Sequence, residues 1–367
     1  MPKPASLTEP PRHALIVRTD HLGDMLLTLP AVRGLKATYP GCRVTVLASA
    51  ANAEAARHDP DVDAVEVDPF EASQVRVRGV WRLARRIRDL GCDTAIVVRP
   101  TFRVALAVYL ARVPVRIGTA YRGYSVLFNR RVRHHRRHAS GHESQHNIAL
   151  LEPLGIPPTV IARVTWNVGA DERAETDALL ARHAAQDARL AVVHPGNAGS
   201  GLNWAPRQYG ELSGRLAAHG LRVVVTGGAG EIGLTNDVAR LAGEAAIDLG
   251  GQLSVRQLAA LIARSSVYIG SATGPTHLAA AVGARVVALH SPIRSARPER
   301  WRPLGADVVI LQPPVGVVCA KCLGADCPYY HCMERHIAVD EVEHAALRLV
   351  EGAAAGPCRP SDREGPV

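Results

Sequence analysis

Short runs of β-branched apolar residues alternate with stretches of helical periodicity along the chain, in two successive sets. In the first half the runs are ALIVR (14–18), RVTVLA (43–48), AVEV (64–67) and TAIVV (94–98). Between them, MLLTLPAVRGLKATYP and VRGVWRLARRIRDLG space their apolar residues three and four apart, as helices do. The second half repeats the rhythm with LAVVHP (190–195), LRVVVTGG (221–228), SVYIGS (266–271), RVVALHS (285–291) and DVVIL (307–311). PRQYGELSGRLAAHG, TNDVARLAG, SVRQLAALIARS and GPTHLAAAVG are the intervening helices. Such alternation builds parallel sheets covered on both faces. The pattern predicts an α/β protein of two Rossmann-like domains, joined near Pro153 to Gly169 where LEPLGIPPTV is Pro-rich. Ligands of these sheets gather beyond the strand carboxyl ends, here expected in a cleft where the two domains face each other.

With 367 residues, 47% of them apolar, the chain can fill two cores of ordinary size. MPKPASLTEPPRH carries Pro and charge but no apolar stretch, so it reads as a tail and not a signal peptide. No apolar run approaches the roughly 20 residues of a membrane helix. These features lead to the expectation of a cytoplasmic protein. A net charge of +9 favours anionic partners. Nearly all of the basic residues are Arg, the only lysines being Lys3, Lys36 and Lys321.

VVVTGGAGEIG, Val223 to Gly233, imitates a dinucleotide-binding fingerprint, with Asp248 further on in the place of a ribose-binding acid. An NAD-dependent sugar epimerase or dehydrogenase of the matching type needs a Tyr-x-x-x-Lys pair. Four residues before Lys321 stands Val317, and four before Lys36 stands Val32. The nicotinamide reading is therefore the weaker one.

Four loops fall at strand carboxyl ends and open helices: RTDHLGDMLLTLP with Asp24, HPGNAGSGLNWAP, TGGAGE, and GSATGPTHLAAAVG. Gly- and Ser/Thr-rich turns entering helices offer N–H groups to phosphate oxygens, aided by the helix dipole. Taken singly, each has a plain structural reading. An Asp at a helix start is ordinarily a cap, a Gly-rich turn is often only a turn, and His277 fits a semi-buried core histidine. Glu231 could simply favour the start of its own helix.

In combination and order, these motifs resemble glycosyltransferase family 9, the ADP-heptose:lipopolysaccharide heptosyltransferases, from about Ala14 to Val350. TGPTHLAAA followed by an apolar strand and SPIRSARPERWRPLG is the most specific part. The resemblance implies a GT-B fold. It assigns residues 13–165 to acceptor binding and 166–350 to nucleotide-sugar donor binding, with tails at 1–12 and 351–367. It further implies inverting transfer of a heptose or related sugar from an ADP-sugar to a lipopolysaccharide core or similar glycan, without any required cofactor. Asp24 matches the family's general base. Thr273, Gly274 and His277 match the loop that holds the donor diphosphate, Glu231 the acid at the nucleoside, and Ser200 the first phosphate-side loop.

Two departures stand out. Leu202 occupies a position where many relatives carry Lys or Arg, and Ala272 one where many carry Asp. Positive charge for the diphosphate or acceptor would then come from residues such as Arg18, Arg99, Arg116, Arg122 or Arg294, of which Arg18, Arg99 and Arg122 are the first candidates. A catalytically degenerate nucleotide-sugar-binding protein is the non-enzymatic alternative, and retention of Asp24 argues against it.

RRVRHHRRHASGHESQH (130–146) is dense in Arg and His. It reads either as a solvated loop or as a contact for an anionic glycolipid at the inner face of the plasma membrane. Nucleic acid is disfavoured, because no aromatic platform interleaves the charge. Cys319, Cys322, Cys327 and Cys332 are spaced C-x2-C-x4-C-x4-C, which points to structural zinc more than to disulfides. The spacing is not that of a standard zinc module, so structural or idle thiols are the first reading, metal the second and redox chemistry the third.

Overall fold

A computed structural model describes residues 9–68, 77–134, 141–158, 164–197, 199, 201–315, 319, 320, 322, 326, 327, 329 and 331–352. The chain divides into two compact units, Met1–Trp166 and Asn167–Val367. Unit 1 runs β1 (His13–Arg18), α1 (Leu22–Leu26), α2 (Leu29–Thr38), β2 (Arg43–Ala48), α3 (Ala53–Arg57), β3 (Ala64–Val67), α4 (Val77–Asp89), β4 (Thr94–Val97), α5 (Phe102–Leu110), β5 (Val115–Thr119), β6 (Arg130–Val132) and α6 (Glu143–Ile148). Its sheet has the order β3-β2-β1-β4-β5-β6, every neighbouring pair parallel.

Unit 2 begins with α7 (Ala170–Arg182), β7 (Leu190–His194), α8 (Pro206–Ala218), β8 (Arg222–Val225), α9 (Ile232–Ala242) and β9 (Ala246–Asp248). It continues through α10 (Val255–Arg264), β10 (Val267–Ser271), α11 (Gly274–Ala281), β11 (Val286–Leu289), α12 (Pro298–Trp301), β12 (Val308–Leu311), α13 (Cys332–His336) and α14 (Val339–Gly352). The order β12-β11-β10-β7-β8-β9 is again wholly parallel. In each unit the first strand lies at the centre and the chain winds outward first to one side, then to the other. The point where the winding reverses lies between β1 and β4 in unit 1, and between β7 and β10 in unit 2. Helix-covered parallel sheets bind their ligands beside that point.

Burial explains the apolar runs. In unit 1, Leu15, Val17, Ala95 and Val97 pack under Val80, Leu83 and Ile87 of α4 and Val104 and Val108 of α5. In unit 2, Val193, Val225 and Ile269 pack with Tyr209, Leu212 and Leu216 of α8 and with Val342 and Ala346 of α14. Each such side chain contributes about 1.5–3 kcal/mol by leaving water.

The stretch expected as one helix at MLLTLPAVRGLKATYP divides into α1 and α2. Pro30 lacks the N–H that a continuous helix would need there, and it is accommodated in the first turn of α2. Three strands carried too little apolar pattern to be read from sequence. β5 is broken by Arg116 and Gly118, β9 is three residues long, and β6 lies inside the basic run.

Candidate active site

The end of β1, the loop after it, the first turn of α1 and the start of α6 place one arginine among three carboxylates. The last residue of β1, Arg18, is only 2% exposed. Its Nε donates to Asp20 at 2.7 Å, its Nη2 to Asp24, and its Nη1 lies 3.4 Å from Glu143 and from Asn147 Oδ1. Burial alone would lower the Arg18 pKa, but Asp20, Asp24 and Glu143 outweigh it and hold the guanidinium charged. Asn52 Nδ2 donates to the carbonyls of Arg18 and Asp20, and Asn147 Nδ2 to the Leu27 carbonyl at 2.9 Å, so backbone and side chains fix one another. Arg99, after β4, reaches Asp20 at 3.5 Å and thereby bridges the two strands at the reversal point.

Asp24 differs from its two carboxylate neighbours. Its side chain is 14% exposed, against 4% for Asp20 and 1% for Glu143. Burial raises its pKa above the ordinary Asp value, Arg18 opposes that, and Asp20 and Glu143 add to it. His21, not Asp24, is the N-cap residue of α1, and the Asp24 carboxylate is turned to Arg18. The cluster thus presents one partly accessible carboxylate whose proton affinity is raised and whose position is fixed from behind. A general base needs those properties.

The sequence-based expectation for Arg18 is corrected here. A nearly inaccessible guanidinium engaged by three carboxylates is not available to a ligand phosphate. Arg99 and Arg122 are exposed and follow β4 and β5, so they share the strand-carboxyl edge of unit 1 with Asp24. Glu143 and Asn147 escaped sequence reasoning because they lie inside the basic run and just beyond it, 125 and 129 positions from Arg18.

In unit 2 the loops after β7, β8 and β10 meet at one edge. Glu231 follows β8, and its carboxylate accepts from the Gly228 N–H at 2.9 Å. His194, ending β7, stands 3.8 Å from that carboxylate and bonds Thr226 Oγ1 through Nδ1 at 3.0 Å. Burial lowers the His194 pKa, with Glu231 pulling the other way, and the imidazole stays neutral. Gly196 leaves room for the carboxylate where it stands, since a Cβ there would fall 2.2–2.3 Å from the Glu231 carboxylate atoms and the side chain would have to move. Ser271 Oγ donates to the Gly196 carbonyl at 3.2 Å and ties the β10 loop to the β7 loop.

Thr273 is the N-cap residue of α11 but makes no side-chain capping bond, Gly274 is the first helical residue, and His277 is buried one turn on. Ser200 lies outside the described residues. Leu202, in the place of a cation, packs against the core of unit 2. His290, just after β11, was also missed; it is fully buried and its pKa is pushed down to about 4 by that burial. Both missed histidines directly follow apolar strand runs, in VVHP and ALHS, which is the signal that would have found them.

TGGAGEIG follows β8, one strand away from the reversal point, whereas a dinucleotide fingerprint belongs to the strand beside it. Asp248 Oδ1 is occupied by the Gly250 N–H at 2.8 Å. As for the cysteines, Cys319, Cys322 and Cys327 together with burial push the Cys332 thiol up, burial first. Even so, among the described residues no three His, Cys, Asp or Glu side chains are grouped to hold a metal ion. No helix among them is long and apolar enough to cross a membrane.

Two Rossmann-ordered parallel units, one with a poised carboxylate and the other with Gly-rich turns entering helices, define a glycosyltransferase of the GT-B class. The model of glycosyltransferase family 9 (heptosyltransferase) matches residues 80–332, and the chain belongs to that family. It is 25% identical over 319 residues to a putative glycosyltransferase of Haemophilus influenzae, covering 82% of this chain and 89% of that one. It is 24% identical over 298 residues to lipopolysaccharide heptosyltransferase 3 of Escherichia coli, covering 78% and 85%. Among solved structures, the ADP-heptose LPS heptosyltransferase II of E. coli superposes with a TM-score of 0.78 at 21% identity, covering 93% of this chain and 99% of that one. The resemblance to family 9 drawn from the motifs is thereby established, as are the α/β fold and the enzyme class.

Proposed function

We propose that this enzyme transfers a heptose or related sugar from an ADP-activated donor to a hydroxyl of a lipopolysaccharide core or similar anionic glycolipid, with Asp24 as general base. The observation that carries the proposal is the Asp24 carboxylate, the most accessible of three around a buried arginine, with its proton affinity raised. In the reaction, Asp24 takes the proton of the acceptor hydroxyl as its oxygen attacks the anomeric carbon. The bond from that carbon to the diphosphate oxygen breaks, configuration inverts, and ADP leaves. One base and a site for the leaving charge suffice for this step.

Donor and acceptor are assigned to different units. Glu231 is suited to accept hydrogen bonds from ribose hydroxyls. The Gly274 N–H, the Thr273 hydroxyl and the dipole of α11 face the diphosphate, each helix-end contribution being about 0.3–1 kcal/mol. Ser200 and an arginine complete the set in this reading. We assign no cofactor to the transfer step, since these groups carry the charge that develops.

The test is a panel of ADP-, UDP- and GDP-sugars in binding and product assays with the full chain. ADP-heptose is expected to bind most tightly and to yield product with a core acceptor; preference for a UDP- or GDP-sugar would sink the donor assignment.

Gly196→Ala probes the nucleoside side separately. The added methyl has no room beside the Glu231 carboxylate and must displace it. Affinity for ADP, read by calorimetry, is expected to fall roughly tenfold as the carboxylate moves off its position, about the worth of one hydrogen bond to a charged group. An unchanged affinity would show that Glu231 does not contact the nucleotide.

A further inference from the structure

We propose that the strand-carboxyl edge of unit 1, centred on the first turns of α4, is the surface by which this enzyme lies on an anionic lipid leaflet. The inference rests on the functional reading above for its premise that the acceptor is lipid-anchored.

The helix α4 turns Gly79, Val80, Leu83, Ala84 and Ile87 inward. Its outer face carries Val77, 74% exposed, and Trp81, 55% exposed, one turn apart. Arg78, Arg82, Arg85, Arg86 and Arg88 surround them, and the only acid on the helix, Asp89, is its last residue. Arg86 is paired with Glu66 and Arg88 donates to the Leu110 carbonyl. Arg78 and Arg85 have no carboxylate partner among the described residues. A large aromatic ring held out into solvent among cations is costly in water and favourable at a lipid headgroup boundary. There Trp is at home, arginine stems can reach outward, and anionic lipid rewards the charge.

The surroundings fit the same partner. Eight large apolar side chains are exposed among the described residues, and six of them belong to unit 1, so the greasy surface is concentrated on the unit that bears Asp24. Three of these six, Phe102, Tyr121 and Val126, follow β4 and β5. Because β1, β3, β4 and β5 lie in one parallel sheet, their carboxyl ends share one edge, and the loop carrying Asp24 follows β1 on that edge. Arg99 and Arg122 add charge there. A leaflet against this edge would bring a lipid-anchored acceptor up to the base. A second copy of the chain fits poorly, since a two-fold contact would set arginine against arginine.

The basic run at 130–146 is a less suitable surface. Its described part includes the strand β6 and the buried residues Glu143 and His146, while 135–140 lie outside the described residues.

Co-sedimentation of the full chain with phosphatidylcholine vesicles, with and without phosphatidylglycerol, tests the proposal. Binding is expected only to the anionic vesicles and should weaken with salt. Each headgroup-facing arginine is worth about fivefold in partitioning, so R78Q/R85Q should lose about 25-fold. Trp81→Ala should weaken binding severalfold, and because Trp81 is exposed its loss leaves the core intact. R173Q/R182Q, the same charge loss on α7 of unit 2, should change binding by less than about twofold.

Wild-type-like binding by R78Q/R85Q/W81A overturns the proposal. So does an equal loss in R173Q/R182Q, which would reduce the effect to net charge, or a lipid-free dimer that Trp81→Ala converts to monomer. Heptose transfer to a delipidated core oligosaccharide, assayed in parallel, separates the two ideas. Its absence in the wild type would strike the functional reading and leave the vesicle result standing.

Discussion

Asp24→Asn is expected to lower turnover by about 10²–10⁴ while donor affinity stays within about twofold. The amide keeps the shape of the side chain and can still accept from Arg18, but it cannot take a proton from the acceptor. The stability readout should move the other way from activity. The folded-state pKa of Asp24 is raised, so the protein holds the proton of Asp24 more tightly than the unfolded chain does. The ionised carboxylate therefore costs stability at every pH above that raised value, and the cost disappears as pH falls below the unfolded value. Removing the charge should leave Tm at neutral pH unchanged or higher. In the wild type, kcat/KM should fall on the acid side with a midpoint above the ordinary Asp value, and this limb should be missing from whatever activity the variant retains. Turnover by the Asn variant within about twofold of the wild type would reduce Asp24 to a packing residue.

Arg18→Met should be the more damaging change for folding. It strands Asp20, Asp24 and Glu143 without the cation that faces all three. Loss of one partner from a buried charge cluster costs about 3–5 kcal/mol, because the buried carboxylates lose the central cation that offsets their desolvation and mutual repulsion. The pH dependence tells this apart from a simple packing defect. Without Arg18, Asp24 loses the guanidinium that opposes its burial, so its folded-state pKa moves further above the unfolded value and the variant should regain stability as pH falls and the carboxyl protonates. Denaturant unfolding at about pH 8 and about pH 5 should show a larger deficit at the higher pH. A deficit equal at both would mean that the cluster is not electrostatically held.

Much of this architecture could be read from the residues alone. Runs such as RVTVLA and TAIVV fall on β2 and β4 because a buried parallel strand must be apolar on both faces, a local requirement. The loop motifs, too, are local: Gly196, Gly227 and Glu231 lie within one hairpin's length of the strands that present them. Glu143 is the opposite case. In sequence it closes a run of Arg and His and looks solvated, yet it is fully buried because α6 packs against the loop after β1. Arg18 failed for the same reason in reverse. As a lone arginine at a strand end it resembles a phosphate ligand, and only packing reveals the carboxylates around it. Residues whose partners are near in sequence were legible, and residues defined by distant partners were not.

The span of that cluster has a consequence for how the enzyme comes to exist on the ribosome. Arg18, Asp20 and Asp24 emerge early, but Glu143 and Asn147 are made more than a hundred residues later. Until α6 has been synthesised and docked, Arg18 lacks its distal carboxylate and Asp24 sits on a support held from one side only. A nascent or truncated chain could thus display the full motif of the first loop and still lack the support that holds Asp24 in place. The cluster is complete only when a late segment of its unit closes over the first.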